Sequence, residues 1–380
     1  MKIFNLKFIL LLIALLTITT NKSLASNDTN NFANNTKINI TKAAVLEQME
    51  AVTQWQLNNP TGKELWVWEY GTFYTGLMSY YKLKPQQKYL DEMIAMGESL
   101  QWKLKPHPYL ADNLTIAQTY IDLYEIDPQP KYIDKARYVM DMEFYKRPSK
   151  PDLRWQDNPH KLNWWSWADS LFMAPPAFAQ MTKVTGDTKY LKKMDKLWKA
   201  TYKYLYDKEE DLFFRDDSYF APRTKNDKKV FWSRGNGWVV GGLVKVLEAM
   251  PKDDTRRRFY ERVLKNMSKS LIALQAPEGH WYPSLLDKDE FDVVETSGTA
   301  FFVYALAWGI NNNLLDEKTY LPHVLKAWQV LDSAVEANGK LGFVQLVGVG
   351  PDKVKKEHSE TYGSGAFLLA GSEVYRLLDK

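Results

Sequence analysis

Twelve segments of this 380-residue sequence carry apolar residues three and four positions apart. This spacing places apolar side chains on one face of an α-helix, whereas the alternating β-branched runs that predict strands are scarce. Proline and glycine lie mostly between the segments. The sequence therefore predicts an all-α chain, with helices over 41–58, 72–83, 87–103, 112–125, 131–143, 168–184, 187–206, 235–250, 254–275, 296–311, 316–336 and 363–379.

The helical segments alternate in character along the chain. One set is rich in lysine and acidic residues, as in 190–197, and the other is apolar on nearly all sides and rich in glycine and alanine, as in 235–247 and 297–310. A helix that is apolar all round is a buried helix. Six exposed and six buried helices in alternation predict six helical hairpins closed into a ring, an (α/α)6 barrel. An open solenoid of hairpins is the alternative, but long tryptophan-rich connections favour the closed form.

Residues 1–25 have the pattern of a secretory signal peptide. Lys2 and Lys7 form a basic start, residues 8–16 form an apolar core, and the small residue Ala25 ends a cleavage site. The apolar run is too short to span a bilayer. We therefore expect a cleaved signal and an exported protein, either periplasmic or secreted.

Composition and charge exclude several classes of protein. The chain has no cysteine, which excludes disulfide scaffolds, iron–sulfur proteins and thiolate-zinc proteins. Three of the 50 basic residues lie in 1–25, so 47 remain against 46 acidic residues, and this balance argues against nucleic-acid binding. Beyond the signal no run is long enough to span a membrane. We expect a flexible leader over 26–40 and a single catalytic domain over 41–380.

Two carboxylates stand at the starts of predicted buried helices. Asp112 opens one of them, and Asp169 follows Trp164, Trp165 and Trp167 within five residues. Each aspartate could instead be a helix cap, a position that this residue favours. Burial beside indole rings and a second carboxylate raises a carboxyl pKa, as a general acid requires. Indole rings also stack on sugars, so this combination predicts a carbohydrate site.

A second candidate is the stretch Arg234-Gly235-Asn236-Gly237-Trp238. Its glycines allow close backbone approach, so that the arginine and the tryptophan can face a ligand. The planar guanidinium group binds a carboxylate or a sulfate. The alternative is an arginine buried in an ion pair, because buried charges are usually paired.

The five histidines show no zinc-binding spacing, and an HExxH motif is absent. His160 and His358 lie in polar loops, where they are candidates for contact with a ligand. His280 is a further candidate because of its aromatic neighbours.

Two motifs carry a family resemblance. Residues 167–176, which read Trp-Ala-Asp-Ser-Leu-Phe-Met-Ala-Pro-Pro, and residues 234–238 resemble active-site motifs of the unsaturated glycuronyl hydrolases. With the twelve helices, residues 41–379 are similar to glycoside hydrolase family 105, the unsaturated rhamnogalacturonyl hydrolases, and to the related family 88. The resemblance implies an (α/α)6 barrel that needs no metal and no organic cofactor.

The resemblance also implies a reaction. Polysaccharide lyases leave a 4,5-unsaturated uronic acid at the non-reducing end of an oligosaccharide, and these enzymes hydrate its double bond. Asp169 would protonate C4 and then activate the water that adds at C5, while Asp112 matches the second family carboxylate. Arg234 and Trp238 match positions that face the uronate. The residues expected to bind substrate are Arg234, Trp238, Trp167, Trp165, His160, Asn236 and His358.

One departure from the family pattern bears on the rest of the substrate. Family members that act on pectin carry a His–Lys pair in a Tyr-Pro-containing stretch, which His160-Lys161 lacks. We therefore expect sulfated rhamnose from the algal polysaccharide ulvan as the aglycone, with pectin fragments as the alternative. Candidates for the sulfate are Lys161, Arg215 and Arg223.

Because a fold does not fix a function, two hypotheses of a different kind stay open. The first is an inverting glycosidase or sugar epimerase on the same barrel. The second is a non-catalytic solenoid that binds carbohydrate.

Overall fold

The computed structural model describes residues 40–107, 109–145 and 151–379. The predicted signal peptide, 1–25, and all but the last residue of the predicted leader, 26–40, lie outside the described residues. Within the described part, none of the helices has both the length and the apolarity needed to cross a membrane.

The described residues form thirteen α-helices and one very short hairpin. The strands β1 (Tyr206–Asp207) and β2 (Leu212–Phe213) pair antiparallel. In chain order the helices are α1 (Lys42–Asn58), α2 (Trp68–Leu83), α3 (Gln87–Ser99), α4 (Thr115–Ile126), α5 (Pro130–Tyr145), α6 (Ser170–Met173), α7 (Pro175–Thr185), α8 (Lys189–Leu205), α9 (Ser233–Ala249), α10 (Arg257–Ala273), α11 (Thr296–Asn311), α12 (Glu317–Ser333) and α13 (Thr361–Leu377).

The predicted alternation of exposed and buried helices is confirmed. The outer helix α8 buries Leu191, Met194 and Trp198 along one stripe and presents lysines to solvent. The inner helix α11 is buried from its first residue, Thr296, to Ile310. A helix with one apolar stripe packs on a neighbour, whereas one that is apolar all round needs neighbours on every side.

One predicted helix, 168–184, is interrupted. It divides into α6 and α7 at Ala174. Pro175 and Pro176 follow directly, and proline has no backbone N–H and disfavours helical geometry in the residue before it. The interruption allows the chain to turn immediately after Asp169.

The inner helices close into a ring. In order, α2, α4, α7, α9, α11 and α13 each contact the next, and α13 contacts α2. This last contact excludes the open solenoid. Gly76 of α2 and Gly365 of α13 form the contact, because a Cβ atom on either residue would overlap the backbone of the other helix. The fold is therefore an (α/α)6 barrel.

The polar connections gather at one end of this barrel. Because inner and outer helices alternate along the chain, all six inner helices run parallel, and the segments that lead into them share one end. The six helix N-termini point to that end, where their dipoles favour negative charge. The leading segments span residues 59–67, 100–114, 146–174, 206–232, 274–295 and 334–360, of which 108 and 146–150 are outside the described residues.

Candidate active site

The two predicted catalytic carboxylates meet at the end of the barrel that carries these segments. Asp112 lies within a 3₁₀ turn, Ala111–Leu114, that leads into α4, and Asp169 directly precedes α6. No side-chain capping bond forms at the start of either element. The capping interpretation therefore does not hold for these side chains, and both carboxyl groups remain available for other contacts.

Burial and nearby charges act on the pKa values of the pair. Burial is the largest cause that raises the pKa of Asp112 to about 7; the charges of Asp169 and Glu69 act in the same direction, and that of Arg215 opposes them. Burial also raises the pKa of Asp169, against the opposing charges of Arg215 and Arg234. Interacting carboxyl groups titrate as a pair, so this pair can keep a proton close to neutral pH.

Arg215 approaches the pair from the loop that follows β2. Its Nε lies 3.6 Å from Oδ2 of Asp169, and its NH1 lies 2.5 Å from Oδ2 of Asp216. Its carbonyl oxygen accepts a 2.7 Å hydrogen bond from the backbone N–H of Ala168. From the sequence, Arg215 was a candidate only for a sulfate ligand. Its ion pair with Asp169 joins residues that no local sequence pattern connects.

Arg234 approaches from the first turn of α9. Its NH1 and NH2 donate to the carbonyl oxygens of Gln345 and Leu346, at 2.7 and 3.0 Å. Its guanidinium group lies 4.4 Å from the ring centroid of Trp232 and 4.9 Å from that of Tyr362. Among the described residues no carboxylate forms an ion pair with it, contrary to the ion-pair interpretation. The charge is therefore buried but not neutralised.

The side chain of Asn236, which the sequence predicts to contact substrate, is hydrogen-bonded to the protein backbone. Its fully buried side chain accepts a hydrogen bond from the backbone N–H of Phe213 at 2.8 Å. It donates to the carbonyl oxygens of Phe213 at 3.0 Å and Trp232 at 3.1 Å. Because Phe213 ends β2, Asn236 fixes the hairpin two residues before Arg215.

Trp238 is also inside the barrel. Its fully buried ring packs against Trp68, Phe172 and Phe301, with centroid distances of 5.7, 5.1 and 4.6 Å. No part of this ring is open to stack on a sugar in this structure. Trp238 therefore packs in the aromatic core of the barrel.

The other predicted tryptophans occupy two environments. Trp165 is buried and packs edge-on against Phe178. Trp167 is also buried, and its ring centroid lies 5.6 Å from that of Trp155, which in turn lies 4.2 Å from the guanidinium group of Arg215. The structure therefore places Trp167 near the carboxylate pair and Trp165 in the core.

The three candidate histidines differ in their exposure to solvent. His160 is exposed at the start of a 3₁₀ turn, Lys161–Asn163. His358 is half-buried, and its carbonyl oxygen accepts a hydrogen bond from the N–H of Val344, next to Gln345. His280 is buried, and burial lowers its pKa to about 4. In the described ranges no three His, Asp or Glu side chains are placed to hold a metal ion.

Gln345 is a central residue of the site that the sequence patterns did not reveal. Its carbonyl accepts from Arg234 and from the Tyr362 hydroxyl, and its side chain accepts from Trp232 Nε1 at 2.9 Å. Its own N–H donates to the buried carboxylate of Glu295 at 3.2 Å. A glutamate recurs at the start of three inner helices, as Glu69 in the first turn of α2 and as Glu295 and Glu360 directly before α11 and α13, but no local pattern marks Gln345.

Comparison with known proteins shows the family to which the chain belongs. The model of Glycosyl Hydrolase Family 88 matches residues 38–378. Two relatives, each called an unsaturated 3S-rhamnoglycuronyl hydrolase, are 37% identical. The one from Formosa agariphila covers 82% of this chain and 84% of its own length, and the one from Alteromonas sp. covers 81% and 77%. A solved structure, a glycosyl hydrolase family 88 protein from Bacteroides vulgatus, is 34% identical with a TM-score of 0.80. It covers 89% of this chain and 99% of that one.

Replacing Asn236 tests whether it holds the hairpin or binds ligand. Asn236→Ala leaves the buried N–H and C=O of Phe213 without their partner, at a cost of about 1–3 kcal/mol for each group. We expect the free energy of unfolding without ligand, measured in urea, to fall by roughly 2–5 kcal/mol. Asn266→Ala, at an exposed position of α10, is the control. Unchanged stability with a raised KM would instead favour direct ligand binding.

The raised pKa of Asp112 predicts a pH dependence of stability. A carboxyl group with a pKa of about 7 when folded and about 4 when unfolded lowers stability as pH rises between these values. The Asp112→Asn substitution removes this loss. The free energy of unfolding of the variant should therefore exceed that of the wild type by roughly 2–4 kcal/mol at pH 8, and the two values should converge near pH 4. Urea unfolding at both pH values measures the difference.

The control substitution is at Asp316, whose pKa is shifted in the opposite direction to that of Asp112. Asp316 caps α12 by accepting hydrogen bonds from the hydroxyl and the backbone N–H of Thr319, and these bonds lower its pKa. Its contribution is present above the unfolded pKa and is lost as the pH falls, so Asp316→Ala should be less stable at pH 8. An Asp112→Asn variant that is less stable at pH 8 would contradict the assigned electrostatics.

Proposed function

This chain is a glycoside hydrolase that belongs to Glycosyl Hydrolase Family 88, and from this premise we propose the bond on which it acts. It removes a 4,5-unsaturated uronic acid from the non-reducing end of short oligosaccharides. The observation that carries the proposal is the half-buried pair of Asp112 and Asp169, with raised pKa values, under the charges of Arg215 and Arg234. This arrangement can supply a proton and accept one, and it offers positive charge to an anionic sugar.

In the first step Asp169 donates its proton to C4 of the double bond. Positive charge then develops at C5 and is shared with the ring oxygen. A raised pKa increases the fraction of Asp169 that is protonated and can act as the acid. Water adds at C5 and returns a proton to the Asp169 carboxylate. The bond between C5 and the ring oxygen breaks to give a ketone, and the remaining hemiacetal at C1 collapses and releases the aglycone.

Asp112 acts on this step through its charge. Burial is the largest cause of its raised pKa, and the charge of Asp169 raises that pKa further. When Asp169 loses its proton, Asp112 can hold one, so the site avoids two adjacent negative charges. We assign Asp112 to orienting the sugar and to maintaining the pKa of Asp169.

Arg234 supplies the charge that faces the uronate carboxylate. It is held by two carbonyl oxygens and two aromatic rings and has no acidic partner among the described residues. A fixed, uncompensated cation in a water-poor site attracts an anion more strongly than an exposed one.

For the aglycone we propose rhamnose, with a sulfate at position 3 as in fragments of ulvan. The names of the two relatives that are 37% identical support this choice. An enzyme with this activity works on the products of a polysaccharide lyase, because lyases create the unsaturated sugar. Pectin-derived rhamnogalacturonan fragments are the alternative substrate.

The decisive experiment combines a substrate panel with one substitution. Unsaturated disaccharides from ulvan, rhamnogalacturonan and glycosaminoglycans are incubated with the enzyme, and the absorbance of the alkene is followed. Asp169→Asn should lower kcat/KM by about 10²–10⁴-fold while the fold is retained. Asp316→Asn, at an outer helix cap, is the matched control and should keep full activity. No loss of absorbance on any substrate, or an active Asp169→Asn variant, would refute the proposal.

We also propose that the enzyme is exported, which rests on the signal-like pattern of residues 1–25. In a bacterial host, the mature protein recovered from the periplasm or the medium should begin after Ala25. N-terminal sequencing measures this, and a chain that retains Met1 in the cytoplasm would contradict it.

A further inference from the structure

Two arginines flank Asp169, but the unsaturated uronate has only one carboxylate to offer them. Arg234 reaches the site from α9, and Arg215 from the loop after β2. The two are held by different contacts, so they are separate cationic centres. If Arg234 faces the uronate, the centre at Arg215 has no partner on that sugar.

A second cation shares the aromatic support of Arg215. The guanidinium group of Arg215 lies 4.2 Å from the ring centroid of Trp155, and the ammonium of Lys161 lies 4.5 Å from the same centroid. Cations at these distances are attracted to an indole face. The ring of Trp155 in turn packs against the ring of Trp167, which lies two positions before Asp169. One indole therefore holds two positive groups beside the catalytic carboxylate.

The loop that carries Trp155 is fixed to the loop that carries Arg215. Oδ1 of Asp217 accepts hydrogen bonds from the N–H groups of Trp155 and Gln156, at 3.1 and 3.3 Å. Its other oxygen accepts from the hydroxyl of Tyr204 at 2.9 Å. Asp217 lies two residues after Arg215, so these hydrogen bonds join the two loops that carry Lys161 and Arg215 into one frame. Such a frame reduces the entropy lost on binding a ligand.

The basic residues of these loops differ in whether their charged groups already have ion-pair or hydrogen-bond partners. Arg154 pairs with Asp152 through two hydrogen bonds. Arg223 donates to three carbonyl oxygens of its own turn. Lys161, half-buried, forms no ion pair with any carboxylate among the residues that the structure describes.

We propose that Lys161 and Arg215, held by Trp155, form the subsite that binds a sulfate ester on the aglycone. The inference rests on the proposed function, because it assumes that the unsaturated uronate occupies the Arg234 side. Arg215 already faces Asp216 and Asp169, so its charge is partly balanced. Lys161 supplies the net positive charge, and Arg215 adds donors that a sulfate oxygen accepts.

The test compares two substrates that differ only in the sulfate. Unsaturated uronyl-rhamnose disaccharides with and without a 3-sulfate are assayed with the wild type and with Lys161→Gln. We expect the wild type to prefer the sulfated substrate. The ratio of the two kcat/KM values should fall about 10- to 100-fold in Lys161→Gln, the range for one charged hydrogen bond. Lys161→Arg should restore part of the preference.

The control is Arg154→Gln, which removes the same charge from the same loop but from a group already paired. It should leave the preference ratio unchanged. The preference should also weaken as salt is raised in the wild type, and less so in Lys161→Gln.

The outcomes separate this inference from the proposed function. If the wild type hydrolyses both disaccharides equally, or if Lys161→Gln keeps the full preference, the sulfate subsite is wrong and the hydrolase assignment stands. If a carboxylated aglycone is preferred to the sulfated one, the subsite binds a different anion and the inference fails. If neither disaccharide nor any other unsaturated uronide is hydrolysed, the proposed function itself is wrong.

Discussion

The burial of two carboxyl groups side by side is the constraint on which this structure depends. Moving a charged carboxylate out of water is costly, and a second one nearby increases the cost. The protein meets this constraint by raising the pKa values of Asp112 and Asp169 and by placing two arginines around them. The result is a pair that holds a proton at a pH where an isolated aspartate would have lost it.

Such a pair must be held by rigid neighbouring structure, and here that structure consists of loops joined to one another by hydrogen bonds. Asn236 holds the hairpin before Arg215, and Gln345 joins Trp232, Arg234 and Tyr362. Apart from the side-chain bond between Trp232 and Gln345, each of these hydrogen bonds joins a side chain to a backbone carbonyl or N–H, so it also satisfies a backbone group of a loop. The closed ring beneath them keeps the inner helix N-termini at fixed spacing. Preorganised groups of this kind lose little free energy to rearrangement during catalysis.

Much of the fold follows from local pattern. The spacing of apolar residues predicted all twelve long helices, because the residues of each helix themselves show whether it is buried on one face or on all faces. The break at Ala174 was missed, although Pro175 and Pro176 announce it. In the site, the carboxylates were recognised from their aromatic surroundings and their resemblance to a family motif. The direction of each motif residue was harder to predict. Successive residues turn about 100° around a helix, so Asn236 points well away from Arg234, toward β2, and Trp238 lies a full turn deeper in the barrel.

By itself the sequence determined where the helices run, which of them are buried, and that nearly equal numbers of positive and negative charges leave no overall field for a polyanion. These are sums over local properties, and they need no knowledge of which segments meet. Tertiary structure alone decided that α13 meets α2 and closes the ring, that Arg215 pairs with Asp169, and that Lys161 stands without a carboxylate partner among the described residues. The pKa of a group and the pairing of a charge depend on burial and on neighbours a few ångströms away. Those neighbours come from distant parts of the chain, brought together by the closure of the barrel.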